Sequence, residues 1–172
     1  DINDMMTIAQ YVLDAGLRIC IHFIADGRDT LPQSAPQYVD LIKHKLADAF
    51  ADGRAFWGTL SGRYYAMDRN QNMDRTKLAI DAIAHAKSQY VADNIDVALA
   101  DAYARGETDE FIVPTVISGD VAIRPCDGFL FGNYRSDRAR QIMREILKTN
   151  AHILCFSQYG EGLNELCPAL LP

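Results

Sequence analysis

The sequence predicts an α/β fold: a three-layer α/β/α domain with a largely parallel sheet and a small hairpin. Three observations point that way. Segments with apolar residues at helical spacing alternate with short β-like runs along the whole chain. One of those runs, Ile19-Cys20-Ile21-His22-Phe23-Ile24, is apolar almost throughout, as suits a parallel strand covered on both faces. Glycines and capping residues fall at the joints between segments, where a helix must stop or start.

The first helix is expected from about Asp4 to Ala15, with Met5, Ile8, Ala9, Val12 and Leu13 on one face and Gly16 as its stop. Arg18 to Ala25 follows as a buried strand, in which His22 reads as a hydrogen-bonded core histidine and not a ligand. Ser34 offers a cap for the next helix, and Pro36 sits acceptably in its first turn. That helix carries Tyr38, Leu41, Ile42, Leu46, Ala49 and Phe50 and ends at Gly53. Phe56 to Ser61 forms the second strand.

Asp74 is positioned to cap a helix bearing Leu78, Ala79, Ala82, Ile83 and Ala86, and a further helix from Ile95 to Ala104 closes at Gly106. Ile112–Ile117 and Val121–Arg124, joined by Ser118-Gly119-Asp120, suggest the hairpin, with Pro114 holding its strand to an edge. Phe129-Leu130-Phe131 begins another strand. A helix to about Lys148 turns Ile142, Met143, Ile146 and Leu147 inward, and His152 to Phe156 is the last strand.

With 172 residues the chain fits one domain, 1–172, or one lobe of a larger protein. Its hydrophobic share of 49% is enough to bury a core, which argues against disorder. A net charge of −6 speaks against a general nucleic-acid binder, whose phosphate affinity comes from surplus lysine and arginine. The cysteines Cys20, Cys126, Cys155 and Cys167 form no close pair, so neither a zinc site nor a disulfide framework is expected. Reduced thiols suit a cytoplasmic protein. No apolar run nears the roughly 20 residues that span a bilayer, and no signal peptide opens the chain. The chain starts at Asp1 instead of a methionine, as a piece of a longer protein would.

The chemistry gathers in three loops, each following an expected strand. The first holds Arg28 and Asp29, the second Arg63 and Arg69, the third Arg135 and Arg138. Strand-end loops form the ligand crevice of open α/β sheets. Each loop alone has a plainer reading as a solvated turn. In the second, two guanidiniums flank two tyrosines and a methionine in Ser61-Gly62-Arg63-Tyr64-Tyr65-Ala66-Met67-Asp68-Arg69, a combination suited to gripping a carboxylate or phosphate. In the third, basic residues stand at a helix start and oppose its dipole at a cost of about 0.3–1 kcal/mol each, unless a bound anion reverses the account; the alternative is that both guanidiniums turn to solvent or pair with Asp137. If the strands are parallel, the loops meet in one pocket of five arginines and one carboxylate. Two guanidiniums about 7 Å apart repel by roughly 2 kcal/mol at an effective dielectric near 20, so an anionic ligand would relieve the empty pocket.

Four segments, in order, resemble the cofactor-independent phosphoglycerate mutases: His22 to Thr30, Ser61 to Arg69, Ala104 to Phe111, and Asn133 to Gln141. The similarity runs over nearly all of the chain. The resemblance implies an inserted domain that holds glycerate beside a phosphatase-like domain of the alkaline phosphatase superfamily. That second domain carries a serine nucleophile and two metal ions, commonly manganese (Mn2+). By motif, Arg63 and Arg69 correspond to the clamp on the substrate carboxylate, and Arg135 and Arg138 to the arginines that meet the phosphoryl group. Arg28 and Asp29 correspond to the pair on the glycerate hydroxyls, with Asp29 as acid/base.

The substrates implied are 3-phosphoglycerate and 2-phosphoglycerate, handled by a monomer in glycolysis and gluconeogenesis. The family's Gly-Gly-Val-His segment, its serine motif and its metal-binding Asp/His set do not occur, and Gly132 stands where a bulky residue is common. No cofactor or metal is therefore expected in this chain, which alone should not catalyse the reaction. A stand-alone phosphate- or carboxylate-binding module without catalysis is the alternative.

Overall fold

The structure, a computed structural model, describes residues 2–117, 119, 121–160 and 162–171. Seven helices occur among them: α1 Ile2–Asp14, α2 Ala35–Lys45, α3 Ala47–Ala51, α4 Arg63–Ala66, α5 Met73–His85, α6 Ile95–Ala104 and α7 Ser136–Ile146. Strands β1 Ile19–Ala25, β2 Ala55–Gly62, β3 Tyr90–Ala92 and β4 Thr115–Ile117 form one sheet in the order β1-β2-β4-β3. β5 Gly128–Phe131 and β6 His152–Cys155 pair separately. Three of the four ladders are parallel, and β2 with β4 is the antiparallel one. The expected α/β architecture with a mostly parallel sheet is thus present.

Alternation along β1 explains the layers. Ile19, Ile21 and Phe23 face a core shared with α2, α3 and α6, built on Val39, Ile42, Trp57, Leu60 and Leu99. Cys20 and Ile24 point to the opposite face, where Ala79, Ile80, Ala82 and Ile83 of α5 lie. Beyond α5, α7 buries Ala139, Ile142, Met143 and Ile146 against the β5–β6 pair. β1 is nevertheless an edge strand with only partial burial; the strands enclosed on both sides are β2 and β4. His22 is hydrogen-bonded as expected, with Nδ1 3.0 Å from Thr59 Oγ1; it is half-buried, and desolvation pushes its pKa down to about 4.

Local details correct several expectations. The helix foreseen from Ser34 to Gly53 breaks at Leu46 into α2 and α3. Ser34 does occupy the N-cap of α2, but its side chain makes no capping bond. Asp74 lies in the first turn of α5, whose N-cap is Asn72. No hairpin forms from Ile112–Ile117 and Val121–Arg124: β4 pairs with β2 and β3, and Val121–Arg124 is not a strand. That stretch packs Val121 beside Ala82 and Val116, and the Ile123 N–H donates to the Ala84 carbonyl at the end of α5. Ser118 and Asp120 of the expected turn lie outside the described residues. Among the described residues no helix is long and apolar enough to cross a membrane.

Candidate functional site

The carboxyl ends of β1 and β2 are neighbours, with Ala25 paired to Gly62, so their loops open side by side. After β1, Asp26 Oδ1 accepts the backbone N–H groups of Arg28 and Asp29 at 3.1 and 3.0 Å, an Asx turn that curls the loop. The curl brings Asp26 and Asp29 onto Arg63, whose Nη1 lies 2.7 Å from Asp26 Oδ1 and 2.7 Å from Asp29 Oδ2. Arg63 is 4% exposed. Burial works against its charge, but the bonds to Asp29 and Asp26 outweigh that and raise its pKa. Burial likewise opposes ionisation of Asp26. The Asp29 amide, the Arg63 guanidinium and the Arg28 amide prevail and hold its carboxyl below the ordinary range.

The second loop is organised on Asp68, which is 6% exposed. Its carboxylate accepts the backbone N–H groups of Asn70 and Asn72, the Asn72 amide group and Gln141 Nε2 from α7. Burial opposes its ionisation, and these bonds, led by those from Asn72, keep its pKa lowered. Gln141 thereby ties the second loop to the helix that begins with the third. At that helix, Asp137 Oδ2 takes Arg69 Nη1 at 2.6 Å and Arg135 Nη2 at 3.3 Å. Hydrogen bonds from Arg135 and then Arg69 hold the Asp137 carboxyl at about 2.

A cleft of about 490 Å³ lies between these loops. Of the expected residues, Arg28, Arg63, Arg69 and Arg138 line it. Asp29 and Arg135 are not on its wall; Asp29 touches it through Arg63, and Arg135 through Asp137 and Arg69. Arg138 reaches the Met67 carbonyl with Nη1 at 3.1 Å, and its buried Nε has no hydrogen-bond partner. Desolvation, then the charges of Arg69, Arg63 and Arg135, lower its pKa. Arg138 makes no ion pair among the described residues.

The picture of many arginines around a lone acid needs correction. Arg28 stands 3.8 Å from Glu110, Arg75 stands 3.8 Å from Asp68, and Arg63, Arg69 and Arg135 pair with aspartates. The resting cleft is therefore largely compensated, and an incoming anion exchanges with protein carboxylates. Glu110, Phe111, Tyr64, Asp68 and Arg75 also line it and had been given no role. Arg75 lies 3.9 Å over the Tyr64 ring, which in turn packs on Phe111. The strand-end rule could not find Glu110 and Phe111, since they precede a strand. β4 runs antiparallel to β2, so its amino end, not its carboxyl end, meets the cleft.

Two glycines permit the close approach. A Cβ on Gly27, whose φ is +63°, would stand 2.5 Å from the Glu110 amide nitrogen. One on Gly62 would overlap the Glu110 carbonyl.

Comparison with known proteins gives the lineage. A 2,3-bisphosphoglycerate-independent phosphoglycerate mutase of Paracoccus denitrificans is 43% identical over 170 residues, covering 99% of this chain and 31% of that protein. One named 2,3-bisphosphoglycerate-independent phosphoglycerate mutase 2, from Methanosarcina acetivorans, is 39% identical over 171 residues, covering 88% of this chain and 32% of that protein. The chain thus spans about a third of the length of these curated relatives. A crystal structure of Leishmania mexicana phosphoglycerate mutase at low cobalt concentration shares the fold. Its TM-score is 0.84 at 19% identity, covering 95% of this chain and 34% of that one. The profile described as BPG-independent PGAM N-terminus matches residues 1–162, and the chain belongs to that family.

Proposed function

We propose that this chain is the substrate-holding domain of a two-domain, 2,3-bisphosphoglycerate-independent phosphoglycerate mutase that interconverts 3-phosphoglycerate and 2-phosphoglycerate. The observation that carries the reading is Arg138. It is a partly buried guanidinium, crowded by three others and without an ion pair among the described residues, at a cleft walled by arginines from distant loops. Such a group is stabilised by an anion and by little else.

On this reading the phosphoryl group of 3-phosphoglycerate passes to a serine of the other, phosphatase-like domain, and the glycerate is retained, turned and rephosphorylated on its other hydroxyl. Arg63 and Arg69 clamp the carboxylate, and Arg135 and Arg138 meet the phosphoryl group. Arg28 and Asp29 hold the glycerate hydroxyls. Each hydroxyl in turn loses its proton as it attacks and regains it as it leaves, and Asp29 accepts and returns that proton. The clamp keeps the glycerate from diffusing away between the two transfers. Divalent metal, expected as manganese, belongs to the other domain. Among the described residues no group of three or more His, Cys, Asp or Glu is placed to hold an ion. The full-length protein should convert 3- to 2-phosphoglycerate, and Arg63→Ala should abolish conversion. Conversion unaffected by that change would refute the assignment.

A further inference from the structure

Building on the phosphoglycerate reading, we propose that Asp109 is a positioning residue that fixes the Arg28–Asp29 loop against Arg63. Its carboxylate is 1% exposed and 75 positions from the helix it caps. Oδ2 accepts the Ser34 and Ala35 backbone N–H groups, both at 2.8 Å, and Oδ1 accepts the Tyr103 hydroxyl at 2.5 Å. The Asp109 N–H donates to the Pro32 carbonyl at 2.8 Å. Its neighbours grip the other side: Glu110 backbone packs on Gly27 and on Gly62, and the Gly62 N–H donates to the Ile112 carbonyl at 2.8 Å. Residues 109–112 therefore hold both ends of the 27–34 loop and the start of the Arg63 turn.

A helix cap alone does not explain this arrangement. Ser34 stands at the N-cap of α2 and could satisfy the helix through its own hydroxyl, a contribution of about 1 kcal/mol. A local cap would leave the loop free to shift relative to β2. The distant, buried acid removes that freedom, and it does so on the Arg28–Asp29 side of the cleft. Asp109 makes no hydrogen bond or ion pair to Arg69, Arg135 or Arg138, so the far side of the site is independent of it.

The test uses the full-length enzyme that carries this chain. A misplacement near 1 Å of reacting groups costs up to about 100-fold in rate. Asp109→Asn should lower kcat by about 10- to 100-fold, with KM for 3-phosphoglycerate changed by less than about 3-fold. Tyr103→Phe, which leaves the carboxylate and removes one bond to it, should lower kcat about 3- to 10-fold with the same unchanged KM. A purely structural role would lower the melting temperature and leave kcat per folded molecule within about 2-fold, and that result would overturn the proposal. If Asp109→Asn does not fold, the Tyr103→Phe kinetics decide by the same criterion. Arg63→Ala in parallel separates the two claims. Its loss of turnover beside an unchanged Asp109→Asn kcat sinks the positioning role alone, and its full activity sinks the phosphoglycerate reading.

Discussion

Arg69 and Asp137 stand 68 positions apart in the chain, yet Arg69 Nη1 lies 2.6 Å from Asp137 Oδ2, and the same oxygen also takes Arg135. One carboxylate thus holds arginines from two loops together at the cleft mouth. Both partners are partly exposed, with side-chain exposures of 47% for Arg69 and 37% for Asp137, so the pair is screened and contributes modestly. Asp137→Asn should lower stability by about 0.5–1 kcal/mol at neutral pH and low salt, and less at high salt, as read from urea unfolding. The folded-state pKa is depressed to about 2. The contribution is present above the ordinary aspartate range and is lost as pH falls through about 2. The wild type should lose its advantage over the variant in that window.

Gly62 has an ordinary extended backbone, φ −74° and ψ 151°, so any residue could adopt its conformation. The constraint is space, because an added Cβ meets the backbone of Glu110 and Asp109. Gly62→Ala should therefore cost about 1–3 kcal/mol through forced displacement. At Gly16, φ +79° with open space around it, alanine meets only the left-handed backbone penalty of about 1–2 kcal/mol and should leave ligand binding intact. Thermal unfolding together with 3-phosphoglycerate titration distinguishes the two positions.

His22 carries a pH prediction of definite sign. Burial depresses its folded-state pKa from 6.5 to about 4, so the unfolded chain binds the extra proton more readily. Its neutral form supports the fold fully above about 6.5, and that support declines as pH falls toward 4. The loss should total about 1–3 kcal/mol. Replacing His22 with Gln should flatten this part of the stability profile. A wild-type profile that is already flat from 6.5 to 4 would contradict the neutral assignment.

Apolar patterning was sufficient to place α1, α5, α6, α7, β1 and β2, but not their burial: β1 is a half-buried edge strand and Leu78 of α5 is exposed. It failed for β3, three residues long, and for the supposed hairpin, since Val121–Arg124 is apolar like a buried strand but packs Val121 and Ile123 against α5. At the site, the arginines were legible because five of them break the expectation for a strand-end loop or a helix start. Their counter-ions were legible only at Asp137, the local partner of Arg135. Asp26 and Asp68 look like ordinary turn residues until folding sets them against guanidiniums from elsewhere in the chain. Glu110 and Phe111 escaped for a topological reason, the reversed direction of β4.

The central claim is that loops distant in sequence build one site for a small phosphorylated acid. The most direct measurement is an NMR titration of the chain with 3-phosphoglycerate, following arginine side-chain N–H signals, which tolerates weak binding. The account predicts saturable shifts at Arg28, Arg63, Arg69 and Arg138 together, abolished in Arg138→Ala and preserved in Arg54→Ala, whose guanidinium pairs with Asp52 away from the cleft. No shifts at millimolar ligand, or shifts confined to one loop or another face of the protein, would contradict it.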